Sequence, residues 1–288
     1  MSEWSLWPAP AKINLFLHVL GRRSDGYHEL QTAFQLLDYG DRIRLRPRAD
    51  GRIERHSDLP GVAAEDDLTV RAARALQAAT ECRQGADIHV DKRLPAGGGV
   101  GGGSSDAATV LVALNHLWQT GLGEQALAAI GLGLGADVPV FVRGRSAWGE
   151  GVGEQLRPMP ADPAGERWYL VVDPGASVST AEVFRAPELT RDTSPIKIAD
   201  LRAGAVRNDC EAVVRERWPE VADALGWLSG YGEARMSGTG SCCFVGFRSE
   251  SDARAALERL PGRWSGFVAQ AVERSPLHTA LAAAAHPG

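Results

Sequence analysis

Apolar and polar residues alternate along residues 11–20. Ile13, Leu15, Leu17 and Val19 fall on one side; Lys12, Asn14, Phe16 and His18 fall on the other. Period two predicts a strand with one buried face, and it sets Lys12 and Asn14 on the same side, two residues apart. The turn Gly21-Arg22-Arg23-Ser24-Asp25-Gly26 follows. Tyr27-His28-Glu29-Leu30 then leads into an apolar stretch ending at Leu37. Residues 41–46 alternate again, with Arg42, Arg44 and Arg46 opposite Ile43 and Leu45, which predicts a second strand with one wet face. Residues 86–90 predict another.

Helical spacing takes over in between. Asp66 or Asp67 caps a predicted helix over 68–79, with Leu68, Ala72, Ala75 and Leu76 on one face. A stronger pattern over 107–118 repeats Ala107, Val110, Leu111, Leu114, Leu117 and Trp118. A short helix is expected within 121–133. Beyond it, predicted strands at 168–172, 242–247 and 264–271 interleave with helices at 180–186, 209–216, 218–229 and 251–260. This mixture predicts an α+β class. Residues 158–165 hold three prolines among small residues and make the best linker. Two domains follow, 1–157 and 158–288.

Composition narrows the function. The chain has 288 residues, 44% of them hydrophobic, which is enough for two ordinary domains. A net charge of −5 without a long basic run argues against a nucleic-acid or anionic-membrane partner. No apolar run reaches membrane-spanning length, and residues 1–4 lack the look of a secretion signal, so a cytoplasmic protein is expected. The four cysteines, Cys82, Cys210, Cys242 and Cys243, contain no C-x-x-C pair, which argues against a zinc or redox site. Cys242 and Cys243 are adjacent, so on a strand they point to opposite faces.

The chemistry centres on Pro95-Ala96-Gly97-Gly98-Gly99-Val100-Gly101-Gly102-Gly103-Ser104-Ser105-Asp106, which runs straight into the helix at 107–118. Ser104, Ser105 and Asp106 are good cap and first-turn residues. Glycines let a ligand approach the main chain, and a helix N-terminus offers free N–H groups and partial positive charge. The pair makes an anion site, most simply for phosphate. A Walker loop needs Gly-Lys-Ser/Thr, but Ser104 follows Gly103. Gly97, Gly99 and Gly102 fit G-x-G-x-x-G. However, the charged stretch Lys92-Arg93-Leu94-Pro95 separates them from the preceding strand, and Glu124, near the required distance, lies in a helical pattern. A flexible linker would not abut a capped, buried helix.

The loop resembles instead the phosphate loop of the galactokinase, homoserine kinase, mevalonate kinase and phosphomevalonate kinase superfamily. Pro10-Ala11-Lys12-Ile13-Asn14-Leu15 resembles its first motif, and Met236-Ser237-Gly238-Thr239-Gly240-Ser241-Cys242 its third. Arg23-Ser24-Asp25-Gly26-Tyr27-His28-Glu29-Leu30-Gln31, Leu134-Gly135-Ala136-Asp137-Val138-Pro139 and Gly149-Glu150-Gly151-Val152-Gly153-Glu154 sharpen the likeness. They resemble the branch whose substrate is 4-diphosphocytidyl-2-C-methyl-D-erythritol.

The resemblance implies a ribosomal-S5-like first domain for ATP and catalysis and a ferredoxin-like second domain for substrate. It implies ATP as co-substrate, Mg²⁺, and phosphoryl transfer to the substrate's 2-hydroxyl by a monomer or weak homodimer. Lys12 and Asp137 match its catalytic pair. Residues Pro95 through Ser105 match its ATP loop, and Lys92 with Asp66-Asp67-Leu68 the rim of its adenine pocket. Asn is common in that family at position 67, and an ionised Asp cannot donate a hydrogen bond. Asn14, Tyr27, His28, Phe34 and Phe184 match substrate contacts, with Tyr27, His28 and Phe184 around the cytosine and Asn14 at the polyol. Ser105 matches a metal ligand, and 237–241 a second glycine loop near the phosphates. Taken alone, Asp137 also suits a turn or cap, and Lys12 the wet face of a strand. Three rivals remain: a sister kinase for a mevalonate-type or homoserine substrate, a non-catalytic nucleotide binder, and a Rossmann dehydrogenase.

Overall fold

The structure, a computed structural model, describes residues 3–159, 167–203 and 206–285. Most of the expected linker lies outside the described residues. The chain opens with two long antiparallel strands, β1 (Ser5–Arg22) and β2 (His28–Arg48). A short β3 (Ile53–Arg55), helix α1 (Leu68–Thr80) and β4 (Gly85–Asp91) follow. Then come α2 (Gly102–Leu117), α3 (Glu124–Leu132), α4 (Val138–Arg143), β5 (Ala147–Gly151) and β6 (Gln155–Pro158). The later part runs β7 (Trp168–Asp173), α5 (Thr180–Arg185), α6 (Glu211–Arg217), α7 (Pro219–Leu228), β8 (Arg235–Met236), β9 (Cys243–Phe247), α8 (Glu250–Leu257), β10 (Ser265–Val272) and α9 (Pro276–Ala285).

Where two segments were expected after the first turn, β2 is one strand of 21 residues. One edge pairs with β1. The other is shared by β5 at Leu30–Phe34, β10 at Leu36 and Leu37, and β4 at Arg42–Arg48. The arginine alternation holds: Ile43 and Leu45 are buried while Arg42 and Arg44 face out.

The expectation of one buried face on β1 does not hold. Residues 9–19 are buried on both sides, Lys12, Asn14 and His18 included. The reason is that β1 passes through three apolar clusters. Trp7 and Ala9 join α1, α2 and the residues of β2 and β4. Ala11, Ile13, Leu15 and Phe16 pack with Tyr169, Cys242 and Phe244. Leu17 and Val19 join Leu170, Val214, Leu225 and Val245. A strand clamped from both sides must bury its polar residues too, and buried polar groups need partners.

From β7 to β10 the order is strand, helices, hairpin, helix, strand, with the sheet arranged β10-β7-β9-β8. This is the βαββαβ split arrangement of ferredoxin-like folds. Cys242 and Cys243 lie in two different clusters, as opposite-facing neighbours should, and all four cysteines are free thiols. No helix among the described residues is long and apolar enough to cross a membrane.

Candidate active site

The glycine stretch leaves β4 through Lys92–Leu94 and enters α2. The helix starts earlier than the cap residues suggested. Gly102 is its first residue, and Gly101 occupies the cap position with φ 75°. A left-handed cap is open to glycine at little cost, so the glycine run itself turns the chain into the helix. Gly102, Gly103 and Ser104 therefore line a cleft of about 450 Å³ together with Gly97–Gly99. Its other walls are Lys12 and Asn14 of β1, Thr32 and Phe34 of β2, Ala136 and Asp137, Thr180 and Phe184, and Gly238–Gly240.

Lys12 is 3% exposed. Its Nζ donates to Asn14 Oδ1 at 2.5 Å and to the Gly99 carbonyl at 3.0 Å, and lies 3.2 Å from Asp137 Oδ2. It also stands 5.5 Å from the centroid of the Phe34 ring. Asp137 occupies the cap position of α4 without a capping hydrogen bond from its side chain. Its carboxylate is turned to Lys12 instead and is one-third exposed. The turn-or-cap reading of Asp137 thus describes its backbone, and the ion pair its side chain. Asn14 is fixed in turn. Its amide donates to Thr32 Oγ1 at 2.9 Å, and its backbone N–H donates to Ser237 Oγ at 3.1 Å.

The second glycine loop is stitched to the first. Ser237 Oγ donates to the Gly99 carbonyl at 2.8 Å, and Cys242 N–H to the Gly98 carbonyl at 3.0 Å. A Cβ on Gly99 would stand 2.2 Å from the Ser237 carbonyl oxygen. Asn208 holds the second loop from below, donating to the carbonyls of Met236 and Gly238. Nothing in the sequence singled out Asn208 or Thr32. Their signal is tertiary: the Asn208 amide reaches the Met236 and Gly238 carbonyls, and Thr32 reaches Asn14 and Phe16 across the β1–β2 pair.

A larger hollow of about 550 Å³ opens among α2, α3 and α9, but it contains neither glycine loop nor the cation–carboxylate pair.

Known families match this chain along most of its length. The pattern for the GHMP kinases N terminal domain matches residues 67–145, and that for the GHMP kinases C terminal matches residues 190–266. A 4-diphosphocytidyl-2-C-methyl-D-erythritol kinase from Halorhodospira halophila (strain DSM 244 / SL1) is 85% identical over 288 residues, 100% of each chain. The chain belongs to the GHMP kinase family. A kinase of the same name from Alkalilimnicola ehrlichii (strain ATCC BAA-1101 / DSM 17681 / MLHE-1) is 63% identical over 96% of this chain and 94% of its own. A crystal structure of 4-(cytidine 5'-diphospho)-2C-methyl-D-erythritol kinase superposes with TM-score 0.80 at 34% identity, covering 92% of this chain and 98% of that one. A mevalonate kinase structure shares the fold alone, at TM-score 0.68 and 14% identity over 93% and 100% of the two chains. The α+β, two-domain GHMP fold predicted from the motifs is the one observed.

In this GHMP kinase the remaining candidates fall in different places. Phe34 lines the cleft, and glycines make room for it: a Cβ on Gly149 would sit 2.8 Å from its ring. Phe184 also lines the cleft, and His28 stacks on it with centroids 4.9 Å apart and planes at 22°. Tyr27 is placed outside the cleft. It is 66% exposed at the β1–β2 turn, because the chain must leave the sheet there to reverse.

Lys92 does not line the cleft. Its ammonium bridges Asp41 at 2.5 Å and Asp106 at 3.0 Å, beneath the first turn of α2. Asp41 also accepts the backbone N–H groups of Arg93 and Leu94. Burial pushes Asp106 up to about 7, against the pull of Lys92. Burial alone would lower Lys92, but Asp106 and Asp41 outweigh it and hold it above its ordinary value.

Asp67 caps α1 through Thr69 and pairs with Arg55 at 3.0 Å. Both its oxygens are therefore engaged, in keeping with the mismatch at this position. Ser105, one residue beyond the cleft-lining Ser104, is fully buried, and its Oγ has no hydrogen-bond partner among the described residues.

Proposed function

We propose that this GHMP kinase transfers the γ-phosphoryl group of ATP to the 2-hydroxyl of 4-diphosphocytidyl-2-C-methyl-D-erythritol. The products are the 2-phosphate and ADP, within the methylerythritol phosphate route to isoprenoid precursors. The observation that carries the reading is the Lys12–Asp137 ion pair, 3.2 Å long, set against the glycine cradle in one cleft.

Phosphoryl transfer passes through a loose transition state, so positioning and charge neutralisation dominate. Backbone N–H groups of residues 97–103 and the N-terminus of α2 face the nucleotide phosphates. Asp137 takes the acceptor hydroxyl, aligns it and receives its proton. Lys12, whose other bonds go to Asn14 and the Gly99 carbonyl, keeps that carboxylate in place and sets a buried positive charge beside the transferred group. Asn14 holds the polyol next to the pair. The base end of the substrate goes toward His28 and Phe184, the side of the cleft built from β2 and α5.

The unpartnered Ser105 hydroxyl and the Asp137 carboxylate are oxygen donors of the kind a hard divalent cation accepts. Mg²⁺ bound with the nucleotide supplies neutralisation of phosphate charge. The family name speaks for ATP, and the domain division at 157/158 stays part of this proposal, as do the site roles and the cytoplasmic setting.

An ADP-release assay with three acceptors tests the reading. The cytidine-diphosphate ester of methylerythritol is expected to support turnover, while mevalonate and homoserine do not. Asp137→Ala is expected to lower turnover at least about 10³-fold with the fold intact. Full activity of that variant, or turnover with mevalonate or homoserine alone, would overturn it.

A further inference from the structure

Arg191 lies in the segment after α5, and every nitrogen of its guanidinium is used. Nη2 donates to the Phe184 carbonyl at 2.8 Å and the Ala186 carbonyl at 2.7 Å; Nη1 donates to the Leu189 carbonyl at 3.0 Å. Nε donates to Nε2 of His28 at 3.2 Å. One side chain therefore ties the C-terminal end of α5, which carries Phe184, to the ring stacked on Phe184.

The last bond has a chemical consequence. A guanidinium has donors only and keeps its proton in proteins. Nε2 of His28 must therefore be the acceptor, which leaves the ring's proton on Nδ1. A protonated imidazole would set N–H against N–H. Burial, with the cations of Arg191 and Arg22 beside it, holds His28 below its ordinary value, in the same direction. Among the described residues nothing hydrogen-bonds Nδ1.

We infer that Arg191 is a positioning residue for base recognition: it fixes His28 as the Nδ1–H tautomer, a lone donor that suits the N3 acceptor of cytosine and opposes the N3–H of uracil. The inference rests on the proposed cytidine end of the substrate. Phe184 supplies a stacking surface that any base would accept. Selectivity between the two pyrimidines needs a group of fixed polarity, and the Arg191 contact provides it. The same guanidinium, through three carbonyls, keeps α5 at the distance that stacking requires.

Nitrogen-detected NMR of the full-length protein reads the tautomer directly, with His28→Gln to assign the signal. Wild-type His28 is expected to carry its proton on Nδ1. Arg191→Met is expected to move it toward Nε2, and Arg191→Lys, which keeps a donor, to shift it less. In acceptor competition, CDP is expected to inhibit the wild type at least about tenfold better than UDP, and Arg191→Met to erase most of that ratio. The KM for ATP is expected to stay the same. A wild-type proton on Nε2 overturns the inference, and needs no variant to fold. So does an unchanged CDP/UDP ratio in a folded Arg191→Met. Competition by neither nucleotide in the wild type overturns the cytidine reading itself, a failure the NMR result keeps separate from the Arg191 contact.

Discussion

Replacing Gly99 by alanine asks how tightly the two glycine loops are locked. Gly97 and Gly99 share a left-handed backbone, with φ of 70° and 73°. Either substitution therefore costs about 1–2 kcal/mol of backbone strain, offset by about 0.4–1 kcal/mol because alanine restricts the unfolded chain. The space around them differs. A Cβ on Gly97 meets nothing within 4 Å, whereas on Gly99 it would lie 2.2 Å from the Ser237 carbonyl oxygen and 3.1 Å from that of Gly240. Relief needs a shift of about 1 Å, an overpacking cost of roughly 1–3 kcal/mol. That shift also moves the carbonyl that accepts both Lys12 Nζ and Ser237 Oγ, worth about 1 kcal/mol for each bond weakened.

Gly99→Ala should thus be destabilised by about 4 kcal/mol, or roughly 10 °C in the thermal midpoint, and Gly97→Ala by about a third of that or less. Activity should separate them further. A misplacement of about 1 Å at a reacting site costs on the order of 10²-fold in kcat. Calorimetric melts and ADP release on both variants measure the two effects. If they melt within about 2 °C of each other with equal kcat, the steric argument is wrong.

Two further substitutions probe the charges. Lys12→Met keeps the stem but removes the ammonium that meets Asn14, Gly99 and Asp137; kcat should fall about 10²–10³-fold, and a fall of less than about threefold would remove Lys12 from the chemistry. Asp106 tests the pH dependence of stability. Its folded value is raised, so the stability it contributes is full below its ordinary range near 4 and is lost as pH rises through about 7. Asp106→Asn, still facing Lys92 and Asp41, should therefore gain on the wild type in melts between pH 5 and pH 8; a constant difference across that range would contradict the assignment.

The Lys12–Asp137 ion pair was legible because its signal is local. Lys12 and Asn14 need only the two-residue period of a strand, and Asp137 needs its motif at the head of α4. The same period misled about environment. Alternation predicted solvent on the Lys12 face, yet the Lys12 ammonium is enclosed by Phe34, Gly99 and Asp137, brought in from other parts of the chain, which no local pattern records. Helix α2 began early because the cap is made by backbone conformation at Gly101, so searching for a hydroxyl or carboxylate cap pointed three to five residues too far, to Ser104, Ser105 and Asp106. Lys92 looked like a rim residue since its two carboxylates come from β2 and α2. Arg191 carried no signal at all, as its partners are mostly main-chain carbonyls, which every sequence possesses.

The passage of β1 through all three apolar clusters bears on how the chain is made. This strand is made before every other element described, yet Leu17 and Val19 are covered by residues as late as Val245 and Trp264. Contacts of such sequence separation form slowly and leave apolar surface open while they wait. A nascent N-terminal portion cannot bury its own first strand. Most of the chain must emerge before either part is complete, and a fragment ending near residue 157 would leave an uncovered apolar strand that invites aggregation.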